Sequence, residues 1–576
     1  MRILWPSSLR QVESVDNYLG VLVPLEEAHN YSHSKKQSSE DDDAASAKDG
    51  DSERLGMLSM DLDEYSIEGL RREMRRGGNG QWTEYEIKSK LINKAIQDIG
   101  MGTYNWQLFV LCGFGWFADN LWLQGISLTL PSLSGEFDIS EKTVRYTTSA
   151  LYVGLSLGSV LWGIGSDFFG RRIAFNLTLL ITGVFGLISA YATSWGGVCF
   201  FFGALGFGVG GNLPVDGALF LEFLPDASSS LLTLLSIWWP VGQLASSIVA
   251  WYFMGQWPVN QGWRMFVVTL GFITLIMFGI RCFAFHLFES PKFLLNTGRQ
   301  NEAVAVIHGI AYRNHTKTWL TAEILDQVSA NEGEERPPRV QVHATSRASS
   351  IIKDKLKNFS VDRLRPLFKT KTLALATTLI WFCWASVGIG FPLFTAFLPQ
   401  YFAHHGDSSS GSSMQSETSE ISDSTYRNYA ITSAVGVPGS FLAAYLVDHP
   451  SPFLGRRGTL ASSTLVSAIF LFLFVQFGQD ATAQLVFSCV VAFSSNVSYA
   501  VLYTITPEMF PAPVRGAGSG VASFLNRMTG LMAPVLAATV PGDGATVPVY
   551  CSAVLILGAF VAMCLIPIET RGAQKL

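Results

Sequence analysis

The stretch Gly163-Ile164-Gly165-Ser166-Asp167-Phe168-Phe169-Gly170-Arg171-Arg172 lies between two long apolar runs. A reduced copy recurs as Asp448 and, after a short insertion, Gly455-Arg456-Arg457, again between apolar runs. A second pair keeps the same register: Glu222-Phe223-Leu224-Pro225 returns as Glu508-Met509-Phe510-Pro511. The two offsets agree to within one residue. One unit has been duplicated in register, and a tandem repeat in a hydrophobic chain is a mark of membrane transport proteins.

Composition points the same way. The 576 residues are 49% hydrophobic and only 15% charged, against about 25% charged in soluble proteins. The apolar residues come in blocks such as 231–261, 459–479 and 547–567. About 20 apolar residues span a bilayer as a helix, so these blocks are candidate spans. The formal charge of −5 and the lack of a basic stripe exclude nucleic acid as a partner. All seven cysteines fall inside apolar runs with no Cys-x-x-Cys pair, which disfavours a metal site or a disulfide framework. Residues 3–5 are apolar but no sustained run follows, so no cleavable signal peptide is expected.

The pattern predicts about twelve spans, near 106–130, 145–165, 172–192, 196–221, 230–255, 265–287, 372–400, 428–447, 458–477, 483–505, 516–540 and 547–568. The fold class is therefore an all-α membrane protein, with two six-helix bundles at 101–288 and 371–570. Residues 1–83 are polar and read as a mostly disordered tail. Thr83-Glu84-Tyr85-Glu86 forms a capping box, and Ile87, Leu91, Ala95 and Ile99 follow at helical spacing. That makes 84–100 an amphipathic helix, either on the membrane surface or free of it. Residues 289–370 read as a polar central loop. Arg347-Ala348-Ser349-Ser350 within it suits a basophilic kinase or a plain solvated loop. A further Ser-rich loop covers 403–424. Arg171, Arg172, Arg456, Arg457, Arg515, Arg571 and Lys575 share one side of the bilayer with the central loop. The positive-inside rule puts that side, both termini and the short tail 571–576 in the cytoplasm of a plasma or organelle membrane.

At this point the residues carry a resemblance. Gly163…Asp167…Gly170-Arg171-Arg172 resembles the loop motif of the major facilitator superfamily, although Phe168 stands where a basic residue is usual. Glu289-Ser290-Pro291-Lys292 and Pro507-Glu508-Met509-Phe510-Pro511…Val514-Arg515-Gly516 are similar to sugar-porter motifs. The nearest likeness is to the synaptic-vesicle-2-related branch. It is carried by Asp98-Ile99-Gly100-Met101-Gly102…Trp106-Gln107, Phe117-Ala118-Asp119, Glu222-Phe223-Leu224-Pro225, Trp381-Phe382-Cys383-Trp384, Tyr503-Thr504-Ile505-Thr506-Pro507-Glu508, and Arg527 ahead of Pro534. The resemblance implies alternating access by two rocking bundles.

Asp119 sits mid-span, where a charge costs about 2.5–3.5 kcal/mol on insertion scales. Such an acid can carry protons, and the resemblance implies proton coupling there; pairing with Asn120 or a neighbouring helix is the plainer reading. Asp216 in the fourth span, one turn after Asn212, is the second proton candidate, equally explained by packing. Arg527 falls near the midplane. It either binds a substrate carboxylate or pairs with Asp119 or Asp216. Arg281 lies nearer the cytoplasmic end and is expected to snorkel. Gln124, Gln243, Trp384, Asn496, Tyr499 and Asn526 complete the candidate substrate set, because buried amides need partners and rings offer stacking area.

The resemblance further implies a cytoplasmic gate of Asp167, Arg171, Arg172 and Glu222 in the first half, and Asp448, Arg456, Arg457, Glu508 and Arg515 in the second. The same charges also serve topology alone. No Gly-x-x-x-x-Gly-Lys-[Ser/Thr] loop is present, which argues against an ATP-driven pump, and no enzymatic activity is expected. The expected partners are a small-molecule substrate and the lipid bilayer. Protons are the coupling ion, with no metal or other cofactor, and the protein is expected to be a monomer. The expected function is secondary active transport of a small organic acid or sugar-like solute. Facilitated sugar diffusion and a non-transporting nutrient sensor or scaffold are the alternatives.

Overall fold

A computed structural model describes residues 12–25, 27–28, 65–75, 83–225, 230–329, 365–398, 402, 423–447, 455–478, 480–510, 515–539 and 546–567. The described residues contain twelve long helices. The first six are α1 Thr103–Phe137, α2 Tyr146–Phe169, α3 Arg171–Ser189, α4 Trp195–Phe223, α5 Trp238–Met254 and α6 Val259–Gly279. The second six are α7 Lys371–Thr395, α8 Asp423–Val447, α9 Arg456–Phe477, α10 Ala481–Met509, α11 Arg515–Thr539 and α12 Thr546–Leu565. Ten are apolar enough to cross a membrane by length and composition. The other two, α1 and α2, are diluted by Asp119, Asn120 and Gln124 and by a run of Tyr, Thr and Ser. Of these, Asp119, Asn120, Gln124 and Thr148 face the space between the two groups of helices.

Each group of six packs on itself, and the groups meet along α5–α8 and α2–α11. Within the first group α2 and α4 approach closely. A Cβ on Gly154 would overlap the Gly203 carbonyl, and one on Gly210 the Leu155 carbonyl. The glycines of α4 are therefore contact points. Pro214 lies inside α4 and Pro534 inside α11. A π-helical turn, Ile280–Ala284, ends α6.

Two expectations need correcting. The segment 289–370 is not only a polar loop: it contains helices Pro291–Asn296, Gln300–Arg313 and Ala322–Ser329. The middle one buries Ala303, Val304, Val306, Ile307 and Ile310, a run too short to register as a span. These helices form a layer with helix Glu84–Ile99, which carries the Thr83–Glu86 capping box and buries Ile87, Leu91, Ala95 and Ile99.

The polar tail is also partly anchored. Val21 and Val23 are buried, and backbone hydrogen bonds join Val21 and Val23 to Thr318. Tyr65, Leu70 and Met74 are buried on the same layer. Tyr65 and Trp319 both donate to Asp98, at 3.2 and 2.7 Å. Burial raises the Asp98 carboxyl above its ordinary range, against the pull of those two donors. The kinase-site candidate at 347–350 and most of the loop 403–424 lie outside the described residues.

Candidate functional site

A cavity of about 210 Å³ lies between the two groups of helices. Asp119, Asn120 and Gln124 enter it from α1, Gln243 from α5, Asn496 and Tyr499 from α10, and Asn526 and Arg527 from α11. These positions alternate with apolar ones at helical spacing, so each helix turns one polar stripe inward.

Asp119 is 3% exposed. Its Oδ1 accepts a 2.9 Å hydrogen bond from Asn212 Nδ2 of α4. Asn120 does not pair with Asp119; its Oδ1 accepts from Gln243 Nε2 at 3.2 Å. Arg527 interacts electrostatically with Asp119, but among the described residues it has no ion-pair partner. The cavity thus holds one carboxylate bonded to a neutral amide and one guanidinium without an ion-pair partner among the described residues. Gln124 Nε2 and Asn526 Oδ1 lack partners among the described residues and retain bonding capacity.

Asp216 is elsewhere. It does not line the cavity. Its Oδ2 pairs with Arg281 Nη2 at 2.7 Å, both side chains being fully buried. Arg281 also donates to the carbonyls of Leu111 at 2.9 Å and Phe175 at 2.8 Å, and its guanidinium lies over the Phe175 ring. The expected snorkelling of Arg281 is therefore corrected: a buried carboxylate and two carbonyls offer better partners than the interface. Trp384 is also absent from the cavity lining. Its indole N–H is used on Thr506 Oγ1 at 2.8 Å, and its ring meets Tyr503 edge-on.

One end of the cavity is closed by rings. Trp116 stacks on Trp239 at 4.6 Å, and Trp239 meets Tyr503 at 4.8 Å across the bundle boundary. Towards the other end Tyr429 Oη lies 2.8 Å from Gln124 Oε1 and 3.0 Å from the Thr395 carbonyl, so its single O–H is shared between the two acceptors. Tyr152 and Tyr429 line the cavity without having been anticipated. An aromatic residue within an apolar run gives no sign of the face it takes, unlike a charge.

Beyond the closed end lie the repeated charges. Arg171 Nη2 and Glu222 Oε1 pair at 2.9 Å between the start of α3 and the end of α4. Arg456 and Glu508 pair in the same way between α9 and α10. Arg457 donates to the Cys564 carbonyl. Glu289 caps α3: its Oε1 accepts from the backbone N–H of Arg171 and Arg172 at 3.0 and 3.3 Å. Burial raises the Glu289 carboxyl above its ordinary range, while these N–H groups and the Arg172 charge oppose the rise. Asp448 and the side chains of Asp167 and Arg515 lie outside the described residues. Among the described residues no cluster of three or more His, Cys, Asp or Glu is arranged to hold a metal.

Comparison with known proteins agrees with this architecture. The sequence profile of the Major Facilitator Superfamily matches residues 108–534. A relative from Ceriporiopsis subvermispora, "MFS siderochrome iron transporter 1", is 40% identical over 90% of this chain and 99% of its own. The synaptic vesicle 2-related protein of Pongo abelii is 28% identical over 84% of this chain and 81% of its own. The proton:xylose symporter XylE bound to 6-bromo-6-deoxy-D-glucose shares the fold with a TM-score of 0.58. That match has 17% identity and covers 82% of this chain and 97% of that one. The chain is thus a multi-pass membrane protein and a transporter, and it belongs to the Major Facilitator Superfamily, near the synaptic-vesicle-2-related branch.

Proposed function

We propose that this chain is a secondary carrier that moves a small anionic organic solute together with protons, by alternating access to the cavity between its bundles. The observation that carries the reading is the pairing of Asp119 with an uncharged amide while Arg527, in the same cavity, has no ion-pair partner among the described residues. A carboxylate held by an amide can take up and release a proton without stranding a countercharge. A guanidinium without a partner can hold a carboxylate through two parallel hydrogen bonds. Gln124, Gln243, Asn496 and Asn526 would orient the rest of the solute. In this reading Asp216 serves the fold, the repeated Arg–Glu pairs hold the cytoplasmic end closed, and that end faces the cytoplasm.

Uptake into proteoliposomes tests it. The panel is small carboxylates, sugars and siderochromes, the last because of the name of the 40% identical relative. Accumulation of a carboxylate should require an inward pH gradient, and Asp119→Asn should abolish that requirement while leaving solute exchange. Flux of sugars alone, indifferent to the gradient, would establish facilitated diffusion instead. No flux of any solute would favour a sensor or scaffold.

A further inference from the structure

Asn212 is fully buried and makes one short hydrogen bond, from Nδ2 to Asp119 Oδ1 at 2.9 Å. A second, longer contact from the same nitrogen reaches the Gly115 carbonyl at 3.4 Å. Its own Oδ1 has no partner among the described residues. A buried acceptor without a donor is costly and uncommon, so it calls for an explanation. The acid beside it supplies one. An ionised carboxyl only accepts hydrogen bonds, whereas a protonated carboxyl also donates. An amide carries both kinds of group at its tip. Turned one way, Asn212 offers N–H to a carboxylate; turned the other way, it offers Oδ1 to a carboxylic acid. The turn gives up the long contact to Gly115 and carries Nδ2 to the place where Oδ1 now lies, which offers no partner among the described residues, so it is favourable only while Asp119 is protonated.

Resting on the proposed proton coupling at Asp119, we infer that Asn212 is the positioning residue for the coupled proton, its amide bonding Asp119 in both protonation states. The step balances simply. A proton from the solution reaching the cavity forms an O–H bond at Asp119, and the same bond breaks when the proton leaves on the other side. Asn212 neither gains nor loses a proton. Pro214 adds freedom, because it removes the backbone N–H that would bind the Gly210 carbonyl one turn back, loosening α4 beside Asn212. The two states of the amide thus coincide with a place where the helix can bend.

Other groups act on Asp119 and differ in kind. Arg527 of α11, Asp216 of α4 and Arg281 after α6 reach it electrostatically, and Tyr503 of α10 is within the same field. Among the described residues only Asn212 hydrogen-bonds the Asp119 side chain. The fixed charges set a background that does not change when Asn212 is replaced.

The test is the pH profile of transport by the full chain in proteoliposomes, using whichever carboxylate the uptake panel identifies. Asn212→Leu keeps the shape and removes both amide groups. Both bonds are lost, but the bond to the carboxylate is the stronger, being charge-assisted, so the half-maximal pH should move upwards by up to about one unit, a tenfold change in proton concentration. Solute exchange, which needs no net proton movement, shows that the variant is folded. Asn212→Asp is the second variant, in case the first does not fold. Two carboxyls sharing one proton should also move the profile upwards. Unchanged profiles in these variants, with gradient dependence lost in Asp119→Asn, would overturn the role of Asn212 alone. Gradient-driven uptake that survives Asp119→Asn would overturn the proton site and this inference together.

Discussion

Two aspartates are buried in the first bundle, and they are solved in opposite ways. Asp216 meets a permanent cation, and the other N–H groups of that cation are used on carbonyls of two further helices. Asp119 meets an amide and faces the cavity. The first arrangement joins α1, α3, α4 and the turn after α6 into one block. It resists change, because losing either charge strands the other in low dielectric. The second tolerates change of charge better, because its hydrogen-bond partner is neutral and the charges of Arg527, Asp216 and Arg281 act on it only at longer range. Under the proposed proton coupling, it is the nature of the partner, and not burial alone, that distinguishes the two acids.

The sharpest way to break this comparison is to neutralise each acid. Asp216→Asn should cost about 3–5 kcal/mol of stability, the usual penalty for leaving one partner of a buried pair uncompensated. Asp119→Asn should cost about 1 kcal/mol, a single exchanged hydrogen bond. Thermal unfolding of the two purified variants in the same detergent measures the difference. Equal losses would mean that Asp119 is as structural as Asp216. The double variant Asp216→Leu, Arg281→Met should recover most of the first loss, since apolar replacement of a buried pair is often neutral.

Arg527 extends the comparison across the cavity. Unlike Arg281 it has no carboxylate partner among the described residues, so its removal should spare the fold and weaken the solute. Arg527→Ala should reduce affinity for a carboxylate by about 1.5–3 kcal/mol, roughly 10- to 150-fold. Solute-dependent thermal stabilisation reads this directly. A variant that melts early but binds unchanged would place Arg527 with Arg281 instead.

These contrasts were only half legible in the chain. Duplicated Gly-Arg and Glu-x-x-Pro motifs gave the two bundles, because topology repeats with the motif. Asp119 and Arg527 stood out because a lone charge in an apolar run is expensive. The partner of Asp216 did not. Arg281 sits on a different helix, in no repeat relation to it, and only packing brings them together. Trp384 misled for a related reason: a ring in an apolar helix has no preferred face until its neighbour, here Thr506, is known. Of the helical layer built from 84–99 and 291–329, the first helix was legible from its capping box and spacing, while the three helices of 291–329 were hidden. Those three are short, and the middle one is buried on all sides from Ala303 to Ala311, which follows only once its neighbours are beside it.

The repeated charges at the closed end offer a milder contrast between the two halves. Arg171–Glu222 and Arg456–Glu508 occupy equivalent places; the first pair keeps some exposure on both sides, while in the second Arg456 is buried and only Glu508 keeps some. Glu222→Gln or Glu508→Gln should each shift the balance towards opening of that end by about 1 kcal/mol, roughly fivefold. Spectroscopic distances between labels on the ends of α4 and α10 would show it as a larger population of the wide distance. A shift from only one of the two would show that the halves no longer share the task.

The smallest expected effect lies furthest from the cavity, where a glutamate outside the bundles is held by hydrogen bonds in the manner of Asp119. Glu13 accepts from Tyr18 Oη at 2.6 Å and pairs with His286 Nε2 at 2.7 Å. Burial alone would raise its carboxyl, but His286, Tyr18 and the more distant Arg172 charge outweigh burial and leave it lowered. A carboxyl lowered in the folded state binds fewer protons there than in the unfolded chain. Its stabilising contribution is therefore complete above the ordinary glutamate value of about 4.3 and is lost as pH falls through the lowered one. Docking of the segment around Val21 and Val23 should weaken over that acidic window by up to about 1 kcal/mol, since their apolar contacts remain. Hydrogen exchange of the Val23 amide, which donates to the Thr318 carbonyl at 3.0 Å, reports this docking directly. After correction for intrinsic rates, its protection should fall with acidification in the parent and stay level in Glu13→Gln. Equal pH dependence in both would assign the anchoring to the apolar contacts alone, and the resemblance between Glu13 and Asp119 would then be one of geometry without consequence.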